Sequence, residues 1–360
     1  MHKILLRDID LSLIIPVLVL VLLSLVTLFS LNTIFFQGQL ILFIASFIIF
    51  LILSQTNYKI LKIYAKPIYI FSLIALIFVL ILGIESRGAV RWVDILGFRL
   101  QFSEVLKPFL AISLASYLSS IKNLDIKNFL SVFVFLSPIA GLIFFQPDLG
   151  NAIIYGFITL LTLVYLGYSY KFFGLLFLPF LLIAPIFWGF LHDYQKQRVL
   201  TFINPASDPL GTSYNVIQSI IAVGSGMIMG QGIGQGSQSS LRFLPERQTD
   251  FIFATISEQL GLMGVAIVLI CFAFILYRIL QIFLNTNDRF CKIFCVIVFF
   301  TFLVQIFINI GMNVGILPIV GVTLPFVSYG GSSLLSNFIF LALLNSINKS
   351  AKDDKVLEIR

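Results

Sequence analysis

The chain has 360 residues, of which 59% are hydrophobic and 11% charged, with 23 Lys and Arg against 16 Asp and Glu for a net charge of +7. Soluble domains carry roughly 25% charged residues, so a soluble enzyme, a disordered chain and a secreted disulfide scaffold are excluded. The long apolar runs also exclude a membrane barrel, whose strands alternate over about ten residues. What remains is an all-α polytopic membrane protein, with room for about ten transmembrane helices at about 20 residues each.

Residues 1–10 are short and charged and lead into an apolar run with no small-residue cleavage site, which reads as a retained first span rather than a signal peptide. Spans are expected at 11–31, 36–54, 68–84, 104–120, 129–145, 149–167, 172–190, 251–277, 290–313 and 326–347. A large extracytoplasmic loop, 191–250, separates the seventh from the eighth. Within it, residues 216–230 are apolar but short and hold three glycines, so they are expected to form a re-entrant or interfacial helix rather than a span. No internal repeat or linker is visible, and residues 1–360 read as a single membrane domain. Cys271, Cys291 and Cys295 lie in or beside apolar helices with no histidine near them and read as buried thiols.

An even number of spans puts both termini on one side. That side carries 15 basic and 7 acidic residues, whereas the opposite side and the membrane interior carry 8 basic and 9 acidic. The positive-inside rule therefore places both termini in the cytoplasm.

Polar residues at apolar depth cost a few kcal/mol each and are informative for that reason. Four groups stand out, all toward the outer side. Arg87, Arg91 and Arg99 beside Trp92 read either as headgroup anchors or as an anion site, since Arg binds phosphate bidentately. Glu104 and Lys107 are three apart on one helical face, where they form a structural pair or turn the Lys107 charge toward a cavity. Asp148, in Gln146-Pro-Asp148-Leu-Gly150, is positioned to cap the following helix. The run from Arg242 through Glu246, Arg247, Thr249 and Asp250 enters a long apolar helix. There Thr249 or Asp250 is a candidate N-cap, and Asp250, Ala254 and Glu258 are spaced to share one cavity-lining face. Val327–Ser333, after Pro318 and Pro325, reads as a broken helix entering the same cavity. With no histidine cluster and no thiol–histidine pair, metalloprotease and cysteine chemistry are excluded, and nucleic acid is not an expected partner. A cavity with carboxylates and cations, open to lipid, suits a phosphorylated lipid that is either transported or reacted.

R-G-A-V-R-W at 87–92, F-S-E-V-L-K-P at 102–108, Q-P-D-L-G at 146–150, F-L-P-E-R-Q-T-D-F-I-F-A at 243–254 and L-P-F-V-S-Y-G-G-S-S at 324–333 resemble the signatures of the SEDS family (shape, elongation, division, sporulation) along nearly the whole chain. The P-E-R form is more similar to the elongation branch than to the division branch. Family sequences usually carry His where this chain has Gln248. The resemblance implies a peptidoglycan glycosyltransferase of the bacterial cytoplasmic (inner) membrane that polymerises lipid II on the outer face during cell elongation. It also implies a class B penicillin-binding protein as partner, together with other elongation-complex membrane proteins. By motif match Asp250 falls on the family's essential aspartate. It is expected to act as the general base of an inverting transfer. Lys107, Arg87 and Arg91 are expected to bind the pyrophosphate, directly or beside a divalent cation such as Mg or Mn. Glu104 would hold Lys107, and Asp148, Glu246, Thr249 and Ser328 complete the candidate substrate-binding set. The alternative in another class is a flippase for the same lipid-linked precursor. It would need a hydrophilic path through both halves of the membrane, whereas the inner halves of the spans are nearly uncharged.

Overall fold

The computed structural model describes residues 9–86, 89–95, 98–191, 193–204, 211 and 213–358. The helices are α1 (Leu11–Leu31), α2 (Thr33–Leu53), α3 (Tyr58–Ile63), α4 (Ala65–Leu82), α5 (Phe102–Val105), α6 (Lys107–Ser120), α7 (Ile126–Phe145), α8 (Leu149–Tyr165), α9 (Tyr170–Phe190), α10 (Asp193–Ile203), α11 (Tyr214–Ser225), α12 (Ser237–Ser240), α13 (Ile252–Asn285), α14 (Arg289–Asn313) and α15 (Gly331–Glu358). A helix occupies each of the ten expected spans. Among the described residues, six of them, α1, α2, α4, α7, α13 and α14, are long and apolar enough to cross a membrane. Residues 216–230 contribute only α11, whose 12 residues span about 18 Å at 1.5 Å per residue, too short to cross.

Short polar residues start many of these helices. Asn32 alone separates α1 from α2, and its side chain accepts from the Ile34 N–H. Asp125, Asp148, Ser169 and Asp288 cap α7, α8, α9 and α14 in the same way, supplying an acceptor to N–H groups that have no partner inside the helix. The six long apolar helices are apolar on all sides, as expected where lipid replaces water outside the bundle. On α1, Leu11, Ile15, Leu18 and Leu22 form an exposed stripe, while Leu13, Val17 and Leu20 are buried. The most enclosed span, α14, packs against α6, α8 and α13 at the centre.

One element departs from the all-helical expectation. Residues 84–101, expected as a loop, hold a three-stranded antiparallel sheet of β1 (Ile84–Ser86), β2 (Ala89–Ile95) and β3 (Phe98–Gln101). Its register pairs Trp92 with Gln101 and Asp94 with Arg99. The alternation Val90, Trp92 against Arg91, Val93 carries the strand period, but over so few residues that the flanking apolar spans mask it.

The start of α1 meets α13 and α15 at one end of the bundle. The Asp10 N–H donates to Asn345 Oδ1 at 2.9 Å, and Asp10 Oδ2 accepts from Arg278 Nε at 2.7 Å and Asn348 Nδ2 at 2.8 Å. This buried knot joins the start of α1 to α13 and α15. The other end of the bundle, the far end, holds the polar motifs.

Candidate active site

At the far end α13 begins without a cap of its own. Its N-cap residue is Phe251, which offers no side-chain acceptor. Neither Thr249 nor Asp250 caps the helix, contrary to that expectation. The acceptor comes from α14: Asn313 Oδ1 receives the Ala254 N–H at 3.0 Å. Asn313 Nδ2 and Asn309 Nδ2 both donate to the Asp250 carbonyl, at 3.0 and 3.1 Å. Asn309 also donates to the Val322 carbonyl at 2.7 Å. These two fully buried asparagines, one helical turn apart, fix the peptide that carries Asp250. They were missed in the sequence, although two amides at i and i+4 in an apolar span are the signal that finds them.

The carboxylate of Asp250 lies beside Gly321. A Cβ at Gly321 would stand 3.6 Å from Asp250 Oδ2 and 3.8 Å from Arg198 Nη1. Gly321 has φ +73°, a conformation that favours glycine, so the backbone there leaves room for both charged groups. Arg198 is a further residue that the sequence did not single out.

Thr249 and Ser328 act behind this carboxylate. Ser328 Oγ donates to the Thr249 carbonyl and accepts from the Leu324 N–H, each at 2.8 Å, while Tyr329 N–H donates to the Gln248 carbonyl at 2.9 Å. Thr249 Oγ1 donates to Glu246 Oε2 at 3.1 Å. The loop that carries these residues is strained. Arg242, Glu246 and Phe326 all have positive φ, which costs on the order of 1–3 kcal/mol per non-glycine residue. Arg247 is buried with Nη1 unpartnered. Burial first, and the neighbouring Arg242 second, lower its pKa.

Glu258 does not line the cavity with Asp250. It is fully buried, and its oxygens accept the Gln238 and Ser239 N–H groups at 2.7 and 2.9 Å. It thereby pins the start of α12 and the loop leading to Arg242. The i+8 spacing held only for a continuous helix, whereas the helix begins at Ile252, after Asp250.

Nearby, α13 breaks at Gly261, whose backbone is non-helical. The carbonyls freed by the break accept from the glycine-rich loop instead. Gln231 N–H reaches Glu258 O at 2.9 Å, Gly232 N–H reaches Gln259 O at 3.0 Å, and Leu262 N–H donates to Met227 O at 2.9 Å. Residues 252–260 therefore run from the far end of α14 to that of α1, where Gln259 bonds Ser30, before the chain turns and crosses the bundle.

A second polar cluster surrounds Asp148. Its Oδ2 accepts from Gln101 Nε2 at 2.6 Å, Ser103 Oγ at 2.7 Å and Asn151 Nδ2 at 2.8 Å. Its Oδ1 takes the Asn151 N–H and faces Arg91 Nη1 at 3.8 Å. The expected cap is present, and so is a charge contact. Glu104 and Lys107 form a buried ion pair at 2.7 Å, with the second carboxylate oxygen unpartnered. Lys107 also tops a small apolar cavity of about 20 Å³ lined by Leu110, Leu136, Tyr155 and Ile297. The two clusters are linked by residues 320–333: Gly150 abuts the Val320 carbonyl, Gln101 N–H donates to Ser332 Oγ, and Ser328 holds Thr249. Arg87 lies outside the described residues.

The described residues gather no group of three or more His, Cys, Asp or Glu. The oxygens of Asp148 and Glu258 already have side-chain or backbone donors. A resident, fully caged metal ion does not fit this donor set.

The model of the cell cycle protein family of FtsW, RodA and SpoVE matches residues 3–353. The chain is 38% identical over 312 residues to the peptidoglycan glycosyltransferase MrdB of Escherichia coli strain K12, covering 85% of this chain and 83% of that protein. It is 36% identical over 325 residues to the probable peptidoglycan glycosyltransferase FtsW of Wigglesworthia glossinidia brevipalpis, covering 86% and 82%. A solved chain of a peptidoglycan synthase complex that coordinates polymerization and crosslinking superposes with a TM-score of 0.82 at 27% identity, covering 95% of this chain and 98% of that one. The rod shape determining protein RodA of Thermus thermophilus shares the fold, with a TM-score of 0.72 at 23% identity over 95% and 97% of the two chains.

Proposed function

The chain belongs to the FtsW, RodA and SpoVE family of multi-pass membrane proteins, and from that premise we propose that it is a peptidoglycan glycosyltransferase that polymerises lipid II during cell elongation. The observation that carries this reading is the fixed placement of Asp250. Its peptide is clamped by Asn309 and Asn313, and its carboxylate stands beside Gly321 and Arg198. The far end of the bundle is extracytoplasmic and the termini are cytoplasmic, since 15 of the 23 basic residues fall on the terminal side. The membrane is the bacterial cytoplasmic one, and the partner is a class B penicillin-binding protein that cross-links the new strand.

In the proposed step, an acceptor sugar hydroxyl attacks the anomeric carbon of the donor from the face opposite the pyrophosphate, which inverts that centre. Asp250 takes the hydroxyl proton as general base. A glycosidase needs a second carboxyl group to protonate its leaving oxygen. A pyrophosphate leaves without that help, so one base together with cations facing the departing charge is a sufficient set. The second cluster offers Arg91, while Lys107 is held by Glu104. A Mg or Mn ion carried in with the pyrophosphate is the form of cofactor compatible with single carboxylates, and titrating activity with EDTA measures it.

The flippase alternative requires a polar path through the terminal half of the bundle. Among the hydroxyls buried toward that half, those of Ser72, Thr159 and Thr162 bond back to the carbonyls of their own helices, and those of Ser113 and Ser346 are taken up by the Ala65 and Thr56 carbonyls, which favours chemistry at one face over transport. Purified protein with its class B partner should convert lipid II into glycan polymer on a gel. Asp250→Ala and Asp250→Asn should make none while retaining wild-type thermal stability. Polymer from both variants would remove Asp250 as the base. Scrambling of lipid II in liposomes, with no polymer from any combination, would favour the flippase.

A further inference from the structure

We infer that Arg198, on α10, is a substrate-binding residue that receives the pyrophosphate of the lipid-linked donor beside Asp250, an assignment that rests on the glycosyltransferase reading above. The two charged groups converge on a single backbone point. The position a Cβ would take at Gly321 is 3.6 Å from Asp250 Oδ2 and 3.8 Å from Arg198 Nη1. No side chain intervenes there, because Gly321 has none.

The helix that delivers Arg198 is oriented for this task. Gln195 and Thr201, three residues before and after Arg198, are buried at 6% and 5% exposure, while Val199, Leu200, Phe202 and Ile203 are exposed. Arg198 lies between Gln195 and Thr201 on one helical face, three residues from each. Arg198 is itself exposed.

The chemistry then has a place for each charge. As the acceptor oxygen bonds to the anomeric carbon, the bond from that carbon to the phosphate oxygen breaks and its electron pair stays on the pyrophosphate. The acceptor proton goes to the Asp250 carboxylate. A guanidinium offers parallel N–H donors matched to phosphoryl oxygens, and it stands next to the group that takes the proton. Arg198 is the described guanidinium placed at Gly321 with Asp250.

The test is binding of undecaprenyl pyrophosphate, with undecaprenyl monophosphate as control, to full-length protein in nanodiscs, comparing wild type, Arg198→Ala and Arg198→Lys. A charge-assisted hydrogen bond corresponds to at least about a tenfold change in affinity. Arg198→Ala should weaken pyrophosphate binding by that factor, with Arg198→Lys intermediate and the monophosphate little changed. In the polymerisation assay the KM for lipid II should rise in parallel, with partial recovery of Arg198→Ala in added guanidinium. Unchanged pyrophosphate affinity in Arg198→Ala would overturn the assignment, and so would a lower kcat at constant KM and affinity, which marks Arg198 as a partner of Asp250 alone. Wild type that binds the pyrophosphate through Arg198 but makes no polymer would instead count against the glycosyltransferase reading.

Discussion

Lys107 and Glu104 are among the most enclosed charges of the chain, at 3% and 6% exposure and 2.7 Å apart. Removing one partner from such a pair typically costs about 3–5 kcal/mol, whereas replacing both by apolar residues of similar volume is often neutral. Lys107→Met and Glu104→Leu should each lower thermal stability strongly, and the double variant should recover most of it. If Lys107 also serves the substrate, the recovered double variant should remain inactive in the polymerisation assay; full activity would confine the pair to structure. The pairing itself was legible from the i, i+3 spacing, since helical geometry alone dictates it. Arg198 was not legible. Nothing in the local sequence of α10 distinguishes it from an ordinary surface arginine, and its meaning comes from Gly321, more than a hundred residues away in the chain.

The element that most shapes the site is the broken helix α13 with the glycine loop laid against it. A Cβ on Gly226 would stand 2.7 Å from the Ser257 carbonyl carbon and closer still to its oxygen, and one on Gly230 would meet the Gln259 carbonyl carbon at 2.5 Å. These atoms are backbone and cannot rotate aside. Gly226→Ala should therefore destabilise the protein by at least about 1–3 kcal/mol, whereas Gly224→Ala, with open space around it, should leave the melting temperature unchanged. Equal effects of the two substitutions would show that the seam is not tightly packed. The sequence showed three glycines within residues 216–230, but not which of them mattered. Helix starts were legible to within about five residues because apolar length is a local signal, whereas α13 and α15 run on to Asn285 and Glu358, well past the expected ends at 277 and 347. The break at Gly261 and the small sheet were not legible. Both depend on hydrogen-bond partners supplied from elsewhere, at Gln231 and Gly232 for the break and across the strands for the sheet.

At the scale of the whole molecule, the far end holds Asp250, Asp148 and their supports, while the terminal end carries most of the basic charge. This arrangement predicts a measurable sidedness. In intact cells stripped of their outer layers, a membrane-impermeant maleimide should label Phe243→Cys and should not label Tyr64→Cys until the membrane is opened; both positions are exposed, and the native thiols are buried. The reverse pattern would invert the topology. The knot of Asp10, Arg278, Asn345 and Asn348 adds a consequence for biosynthesis. A ribosome delivers residue 10 long before residues 345–348, so the first helix inserts with its carboxylate waiting for partners that arrive with the last. A nascent chain halted before Asn345 leaves Asp10 with Arg278 but without either asparagine. Synthesis of α15 is thus the event that closes this end of the bundle, and products truncated before it carry an unfinished knot.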